Sequence, residues 1–369
     1  MKSSAGEPVT KFFVSIIGLV VILLVLREFQ FIFIPLAIAY FLYFVFEPVN
    51  NFLVKYKIPK AAAVIIDLVI MIGLLYGVSH VFISSFERMG TEFPAYINKI
   101  NSLVRNAAVS MDVKEPSILN FDLQTWLSKI DYTSIAGGVF SSTVSFFSTA
   151  FLVLFFFIFV SSGHSQIYEA VRLRYVEKNI YNSLGHDDDE ISEEAIEKIK
   201  NDRGEKIEKT FKDITGQVQQ YIATKFLINL MSGIVFTAIL LLFGVDYAVV
   251  WGGFSFMFNF IPNIGSIFSV VFPTLMSLIQ YGSFGYTGVI LITLIVVQNL
   301  IGNIIEPKIF GDRLGLNPLV ILISLLLWGY LWGIVGMFMS VPLTAIIKIS
   351  ISESHSKNLR FLCRLMSNH

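Results

Sequence analysis

The stretch YAVVWGGFSFMFNFIPNIGSIFSVVFPTLMSLIQYGSFGYTGVILITLIVVQNLIGNII, residues 247–305, contains no charged side chain. A membrane-spanning helix needs about 20 mostly apolar residues, so this stretch is long enough for two crossings. A second uncharged run covers residues 314–347. Both runs are continuously apolar instead of alternating, which predicts membrane helices and argues against the strands of a barrel.

The composition of the whole chain agrees with a protein whose solvent is lipid. Of its 369 residues, 55% are hydrophobic and 15% are charged, whereas soluble domains average about 25% charged. The 27 Lys and Arg balance the 27 Asp and Glu, so net charge gives no reason to expect a nucleic-acid partner. We therefore predict an all-α, polytopic membrane protein with six to eight embedded helical segments and the lipid bilayer as its partner.

Further apolar segments precede the two uncharged runs, at residues 12–26, 31–46, 61–83, 138–160 and 226–245. Only Arg27–Gln30 separate the first two segments, so one kinked helix is an alternative to a hairpin. A hairpin puts Lys2 and Lys11 on the same side as Lys55, as the positive-inside rule favours. We therefore predict a hairpin with a cytoplasmic N-terminus.

Counting crossings from that hairpin divides the chain into six parts. The C-terminus returns to the cytoplasm in this scheme, in agreement with its basic residues. The parts are residues 1–83 with the hairpin and third span, 84–137 as an extracytoplasmic segment of short amphipathic helices, 138–163 as the fourth span, 164–220 as a cytoplasmic helical insertion, 221–347 as a membrane domain with broken helices, and 348–369 as a cytoplasmic tail.

The cytoplasmic insertion holds 9 Lys and Arg and 13 Asp and Glu. We interpret its acidic run at His186–Glu190 as a solvated helix start and expect no metal site there. Apolar residues then recur at spacings of 4, 3 and 4, which is typical of a coiled coil or bundle seam. This seam packs either within its own chain or against another subunit, and its members are Ile207, Phe211, Ile214 and Val218.

Two breaks interrupt the uncharged runs. In the first break, Pro262 lacks a backbone donor and Gly265 permits a turn. The amides of Asn259 and Asn263 lie beside them. Irregular backbone at membrane depth is tolerated against protein or a water-filled cavity. The break is either a kink in an ordinary helix or a re-entrant or broken segment whose amides face a solute path.

The second break lies in the last run, and its hinge candidates are Gly329, Gly333, Gly336 and Pro342. If both broken segments re-enter, the chain crosses six times, and if both span, it crosses eight times. The two models put the loop Glu306–Gly315 on opposite sides, and the basic residues of this loop favour the cytoplasm.

Polar residues are dense just before that loop. Asn299, Asn303 and Glu306 follow one another at spacings of 4 and 3, so they share one face of a helix, and Gln298 adjoins them. Gly302 and Pro307 are further break candidates. Such a face either joins helices in lipid or lines a solute path.

Asp67 is an acid inside the third apolar segment. An intramembrane carboxylate is costly unless it faces a partner or a cavity. Asp67 and Glu306 are therefore candidates for coupling an ion or proton, although Asp67 is also close enough to the segment end to reach the interface.

Motifs of hydrolytic and nucleotide-binding enzymes are absent from the sequence. It has no HExxH, no GxSxG, no Walker loop and no GxGxxG at the start of a nucleotide-binding unit. The single cysteine, Cys363, excludes a cysteine-based metal cluster or an internal disulfide. We therefore expect no catalytic residue, no metal and no cofactor.

Three segments resemble a known family: NFIPNIGS at Asn259–Ser266, IGNIIEPKIFGDRLGLNPL at Ile301–Leu319 and WGYLWGIVGMFMSVPLT at Trp328–Thr344. They are similar to the autoinducer-2 exporter family, the TqsA or PerM-like permeases. The resemblance implies a multi-span permease of the bacterial inner membrane, a homo-oligomer with both termini in the cytoplasm. It also implies export of autoinducer-2, or sodium or lithium/proton antiport.

Three functions remain open from the sequence. The leading one is a secondary exporter of a small, uncharged polar solute, because amides without neighbouring charge could bind such a molecule. The second is cation/proton exchange through Asp67 and Glu306. The third is a non-transporting assembly or regulatory protein that acts through its cytoplasmic helices.

Overall fold

A computed structural model of the chain describes residues 6–113, 115–116, 120–127, 145–163, 193–310, 316–352, 361, 363 and 365–366. The regular elements within those ranges are helices, and seven of them are long and apolar enough to cross a membrane. The prediction of an all-α, polytopic membrane protein is confirmed.

The described helices are numbered in chain order. They are α1 (Gly6–Glu28), α2 (Gln30–Lys55), α3 (Lys60–Ser110), α4 (Leu123–Leu127), α5 (Ser145–Gly163), α6 (Glu193–Leu242), α7 (Ala248–Phe258), α8 (Ile264–Tyr281), α9 (Phe284–Asn299), a π-helix (Leu300–Ile305), α10 (Glu306–Phe310) and α11 (Pro318–Ser352). The acidic run at 186–190 and the residues 164–192 around it lie outside the described part.

A single non-helical residue, Phe29, joins α1 to α2. Hydrogen bonds from Phe29 N to Val25 O (3.0 Å) and from Phe33 N to Phe29 O (3.1 Å) carry the helical pattern through the junction. The predicted hairpin is therefore wrong, and the alternative of one bent helix is correct. The positive-inside rule orients helix ends, but a reversal also needs a turn, and Arg27–Gln30 contain no turn-forming residue.

α3 is a continuous helix of 51 residues. At 1.5 Å per residue it is about 76 Å long, more than twice the thickness of a hydrocarbon core. The third span and the start of the predicted segment 84–137 are therefore one element instead of a span followed by short helices. The helix ends where Asp112 takes a positive φ of 52° and Val113 N bonds to Ala108 O (2.9 Å).

The chain forms two compact units, and neither is contiguous in sequence. The first unit comprises Met1–Val64, Thr149–Ala223 and Arg313–His369, and the second comprises Ile65–Ser148 and Thr224–Asp312. α3 and α6 contribute residues to both units. In the second unit, α6, α8 and α9 share a core of fully or almost fully buried side chains: Phe236, Leu240, Val270, Ile290 and Leu294.

α7 and α8 form a helical hairpin, the first hairpin, which reverses at residues 259–263. α7 has 11 residues, about 16 Å, which is too short to cross a core of about 30 Å. Ring pairs join the two helices as antiparallel neighbours, Trp251 with Phe272 (6.3 Å) and Phe258 with Phe268 (5.8 Å).

The two ends of the first hairpin lie at the same level. The side chain of Gln280, near the end of α8, accepts a hydrogen bond from Asp246 N (2.8 Å) and donates to Gly244 O (2.9 Å). Gly244 and Asp246 directly precede α7. The segment therefore enters and leaves at one end of the unit, as the re-entrant interpretation predicts.

α11, in the first unit, is also a hairpin, the second hairpin. Its chain reverses at Gly333, which has φ 62° and ψ −141°. The hydroxyl of Ser324 donates to Ser340 O (2.9 Å) and lies 2.6 Å from the hydroxyl of Thr344. The midpoints of these two pairs are residues 332 and 334, on either side of Gly333, so the two arms of α11 run antiparallel.

A glycine allows the arms of each hairpin to approach closely. A Cβ at Gly265 would collide with the carbonyl oxygen of Phe258, and a Cβ at Gly336 would collide with that of Trp328. The two breaks predicted from proline and glycine are therefore both chain reversals.

The tip of the second hairpin contacts the bend between α1 and α2. Trp332 Nε1 donates to Leu26 O (2.9 Å), and Arg27 donates to the hydroxyl of Tyr330 (2.7 Å). Leu26 lies one turn before Gln30, where the bend disturbs the backbone pattern. The indole of Trp332 thus donates to a backbone carbonyl at the bend between α1 and α2.

Candidate functional site

Asn259 lies at the tip of the first hairpin and within its unit. It bonds to Ser232, ten residues before the end of α6 at Leu242, and to Gln298, fourteen residues after the start of α9. These offsets correspond to about 15 Å and about 21 Å along the helices. Half of a hydrocarbon core is about 15 Å, so the tip lies well inside the length of both helices and away from these helix ends.

The amide of Asn259 connects three elements by hydrogen bonds. Its Nδ2 donates to Ser232 Oγ of α6 (2.8 Å) and is 3.4 Å from Ser255 Oγ of α7, while its Oδ1 accepts from Gln298 Nε2 of α9 (2.9 Å). We call these four side chains the amide network. None of them carries a charge, so the network is suited to uncharged hydrogen-bonding groups.

Three buried polar atoms near this network have no hydrogen-bond partner among the described residues. They are Asn229 Nδ2, Trp251 Nε1 and Gln298 Oε1. Asn229 lies one turn before Ser232 on α6, and Trp251 lies one turn before Ser255 on α7. Native proteins pair the great majority of buried polar atoms, so each exception calls for an explanation.

The other predicted residues of the first break surround the tip. Pro262 is half-buried, and Gly265 is buried where the arms approach. Asn263 is exposed and has a positive φ of 62°, a conformation that Asn adopts more readily than most residues. Of the two amides predicted to face a solute, Asn259 is in the amide network and Asn263 lies outside it.

The polar stretch after α9 contains a π-helix at Leu300–Ile305. π-Helical turns are uncommon and occur often at functional sites. Asn303 Nδ2 donates to Asn299 Oδ1 (2.8 Å), and both side chains are exposed. Gly302 is inside this π-helix and Pro307 follows it. The structure thus brings Gln298 into the amide network and leaves Asn299 and Asn303 outside it.

Glu306 forms an ion pair with Lys225 of α6. The contact is 2.5 Å long and both side chains are partly buried. The ion pair connects Glu306, directly after the π-helix, to α6 at Lys225, seven residues before Ser232. The sequence analysis did not identify Lys225, because a single lysine at the start of an apolar run is typical of a membrane interface.

Asp67 is completely buried, seven residues after the start of α3 at Lys60. The alternative in which its carboxylate reaches the membrane interface conflicts with this burial. A buried carboxylate is costly in an apolar surrounding, so its presence points to a specific role.

Of the hinge candidates of the second break, Pro342 lines an apolar pocket of the first unit. The pocket has a volume of about 210 Å³. Its walls come from α2, α6 and the second hairpin, and they include Phe33, Phe44, Ile222, Trp332 and Pro342. Gly333 is exposed at the reversal, and Gly336 is buried between the arms, with Gly329 facing Met337.

The predicted seam of α6 is described at one of its four positions. Val218 packs on Phe44 and Ile222 of the same unit. The side chains of the other three positions, Ile207, Phe211 and Ile214, lie outside the described residues.

A second polar cluster joins α3 to the start of α7. Tyr247 OH donates to Glu92 Oε2 (2.7 Å), and Tyr96 OH donates to Asp246 Oδ2 (2.8 Å) while lying 3.0 Å from Glu92 Oε2. We call these four residues the tyrosine cluster. Lys99 adds a bond to Gln280 O (2.8 Å), so the C-terminal half of α3 is tied to both ends of the first hairpin.

The hydrogen bonds of the tyrosine cluster change two pKa values. Glu92 lies nine residues beyond Ile83, where the apolar part of α3 ends. The hydroxyl of Tyr247, followed by that of Tyr96, stabilises the ionised carboxylate and holds the pKa of Glu92 below its usual range. Burial, followed by the bond to Glu92, raises the pKa of Tyr247 to about 12.

Sequence reasoning missed Asn229, Ser232 and Ser255. Each is an isolated polar residue in an apolar segment, where small polar residues commonly serve helix packing. The usable signal was spacing: Asn229 and Ser232 share one face of α6, and Ser255 and Asn259 share one face of α7.

Comparison with known proteins gives the family. The family model described as AI-2E family transporter matches residues 13–180 and 184–355. A provisionally named transport protein of Borreliella burgdorferi is 30% identical over 91% of this chain and 86% of its own length. A similarly named protein of Haemophilus influenzae is 26% identical over 95% of both chains.

A third relative carries a more specific name. The AI-2 transport protein TqsA of Escherichia coli is 25% identical over 91% of this chain and 90% of its own length. With a family model that matches nearly the whole chain and a fold of apolar spanning helices, this multi-pass membrane protein belongs to the AI-2E transporter family.

Proposed function

We propose that this chain is a secondary transporter of a small, uncharged polar solute and that the first hairpin carries the solute site. The observation behind the proposal is the amide network, in which neutral side chains of three elements meet at a chain reversal. Broken helices at the midplane are the usual solute sites of secondary transporters. Autoinducer-2 is the candidate substrate, because TqsA is named for it.

Transport of autoinducer-2 is testable with purified protein in lipid vesicles. Vesicles loaded with the signal should release it faster than protein-free vesicles when a proton or sodium gradient is applied. Release measured with each gradient, and with none, also identifies the coupling ion. If the signal stays inside under every gradient, autoinducer-2 is not the substrate.

Cation/proton exchange is the second candidate function, and the complete burial of Asp67 favours it. A carboxylate that binds a proton and a cation in turn can couple the two. Glu306 is less suited, since Lys225 neutralises its charge. Asp67→Asn should abolish cation-dependent proton movement in a dye-quench assay, and Glu306→Gln should reduce it less. Unchanged proton movement in Asp67→Asn would remove this carboxylate from the mechanism.

We also propose the bacterial cytoplasmic membrane as the location, with the C-terminus in the cytoplasm, and a homo-oligomer as the assembly. The prediction of a cytoplasmic N-terminus rested on the N-terminal hairpin, which the structure does not contain, so we make no proposal for that terminus. Native mass spectrometry of the full chain in detergent tests the assembly, since a monomer at all concentrations would contradict it.

A purely regulatory role is less favoured for a member of a transporter family, and deletion of residues 186–203 should leave transport measurable.

A further inference from the structure

Two of the unpartnered atoms at the amide network differ in polarity. Asn229 Nδ2 is a donor and Gln298 Oε1 is an acceptor, and neither has a partner among the described residues. Asn229 is 1% exposed and lies one turn from Ser232, while Gln298 is bonded to Asn259. A buried donor and a buried acceptor left unpaired both destabilise the empty protein. Asn229 shares a face of α6 with Ser232, and Ser232 and Gln298 both bond to Asn259, so the two unpaired atoms point to one guest molecule.

We propose that Asn229 and Gln298 form the specificity pair of the solute site, an inference that rests on the proposed function. Asn229 Nδ2 donates to an oxygen of the solute, and Gln298 Oε1 accepts from a hydroxyl or amide of the same solute. The ligand is therefore an uncharged molecule that carries a donor and an acceptor close together, such as a diol.

The pair excludes two other classes of ligand. A carboxylate has no proton to donate to Gln298, and a bare metal cation has no lone pair to accept from Asn229. Either one would leave a buried group unpaired, and sites built around hydrogen bonds reject such analogues strongly. Specificity for neutral solutes over anions and cations thus follows from these two side chains.

The site is closed in this conformation, because both atoms are shut off from solvent. Entry of a solute requires movement of the first hairpin, whose tip contains Pro262 and an exposed Asn263 with a positive φ. A buried site that opens by hairpin movement is what alternating access needs.

The first test compares two probes with the same three-carbon skeleton, propane-1,2-diol and propionate, which has no proton to donate. The full chain in lipid nanodiscs should bind the diol in saturation-transfer NMR and bind neither propionate nor sodium at the same site. Asn229→Leu should weaken diol binding at least tenfold. Thr287→Val, which removes a buried hydroxyl elsewhere in the second unit, should leave diol binding unchanged.

A second test separates ligand recognition from a structural role. Since Asn229 Nδ2 is unpaired, Asn229→Leu should keep or raise the melting temperature of the ligand-free protein. Asn229→Asp should lose diol binding where its carboxyl is ionised and regain it as the pH falls and the protonated acid becomes a donor. Wild-type binding should stay flat over the same pH range.

Several results would overturn the specificity pair. These are no diol binding by the wild type, equal binding of propionate, full diol affinity in Asn229→Leu, or a lowered melting temperature of that variant. An Asn229→Asp variant with the wild-type pH profile would overturn it as well. If diol binding depends on Asn229 but autoinducer-2 is not transported, the substrate proposal fails and the specificity pair stands.

Discussion

At the scale of single residues, Asn259 uses both ends of its amide to connect α6 with α9. Replacement by Leu leaves Gln298 Nε2 without its acceptor in a partly buried place. We expect Asn259→Leu to lower the free energy of unfolding by about 1–3 kcal/mol.

A double variant tests whether that loss comes from the unpaired amide. Removing both partners of a buried hydrogen bond is nearly neutral, whereas removing one is costly. Asn259→Leu combined with Gln298→Leu should therefore be less destabilising than the sum of the single variants in thermal or denaturant unfolding. Additive losses would show that the two amides do not act together.

The sequence identified Asn259 and Gln298 because amides stand out in an uncharged run. It also grouped Asn299, Asn303 and Glu306 on one helix face, and the structure separates these from the amide network. The π-helix changes the spacing at that point, and nothing in the letters LIGNII marks it. Asn229 escaped notice because its partners belong to elements that are distant in sequence.

At the scale of helices, the first hairpin depends on the close approach at Gly265. A methyl group there meets the carbonyl of Phe258, so we expect Gly265→Ala to lower the free energy of unfolding by about 1–3 kcal/mol. Gly253→Ala is the matched control, because Gly253 lies in α7 with open space around it. This control should be neutral or stabilise by up to about 1 kcal/mol, and equal losses in both variants would contradict the packing argument.

The tyrosine cluster predicts how stability responds to acid. Because the pKa of Glu92 is lowered in the folded state, its ionised carboxylate stabilises the folded protein at neutral pH. This contribution is lost as the pH falls below about 4.5, the usual pKa of the carboxyl, towards its folded value. Tyr247→Phe removes the main donor, so the melting temperature should drop at neutral pH and depend less on pH between about 6 and 3.

A nearby tyrosine provides the control for this pH effect. Tyr281 OH donates to the backbone oxygens of Phe243 and Gly244 (2.8 and 2.7 Å), which do not titrate. Tyr281→Phe should therefore lower the melting temperature without changing its dependence on acid. The same acid dependence in wild type and Tyr247→Phe would exclude Glu92 as the source.

Proline and glycine were sufficient to predict both breaks, since their effects on the backbone are local. Whether each break closes into a hairpin depends on contacts between residues such as Ser324 and Ser340, which no local signal contains. The prediction of an N-terminal hairpin was wrong because it rested on the placement of charges and not on a local backbone signal. Charge placement suggested a reversal, but the backbone at Phe29 continues as a helix.

At the scale of the whole molecule, two returning hairpins determine the side of the loop after α10. With Lys60 in the cytoplasm, α3, α5, α6 and α9 cross and the first hairpin does not. Lys308 is then cytoplasmic. A cysteine at Lys308, in a Cys363→Ser background, should react with an impermeant maleimide from the cytoplasmic side alone, and labelling from the outside alone would contradict the topology.

The overall class was predictable from composition, because 59 successive residues without charge fit lipid better than water. The division into two compact units was not predictable in this way. Three of the four points where the chain passes from one unit to the other lie inside the continuous helices α3, α5 and α6, so no linker in the sequence marks them.

The central claim is that the solute path passes the amide network at the tip of the first hairpin. The most direct measurement is the initial rate of autoinducer-2 release from vesicles containing Asn259→Leu, compared with wild type and with Ser277→Ala, a buried polar change outside the network. We predict a rate at least tenfold lower for Asn259→Leu and a wild-type rate for Ser277→Ala. A wild-type rate for a folded Asn259→Leu would contradict the claim.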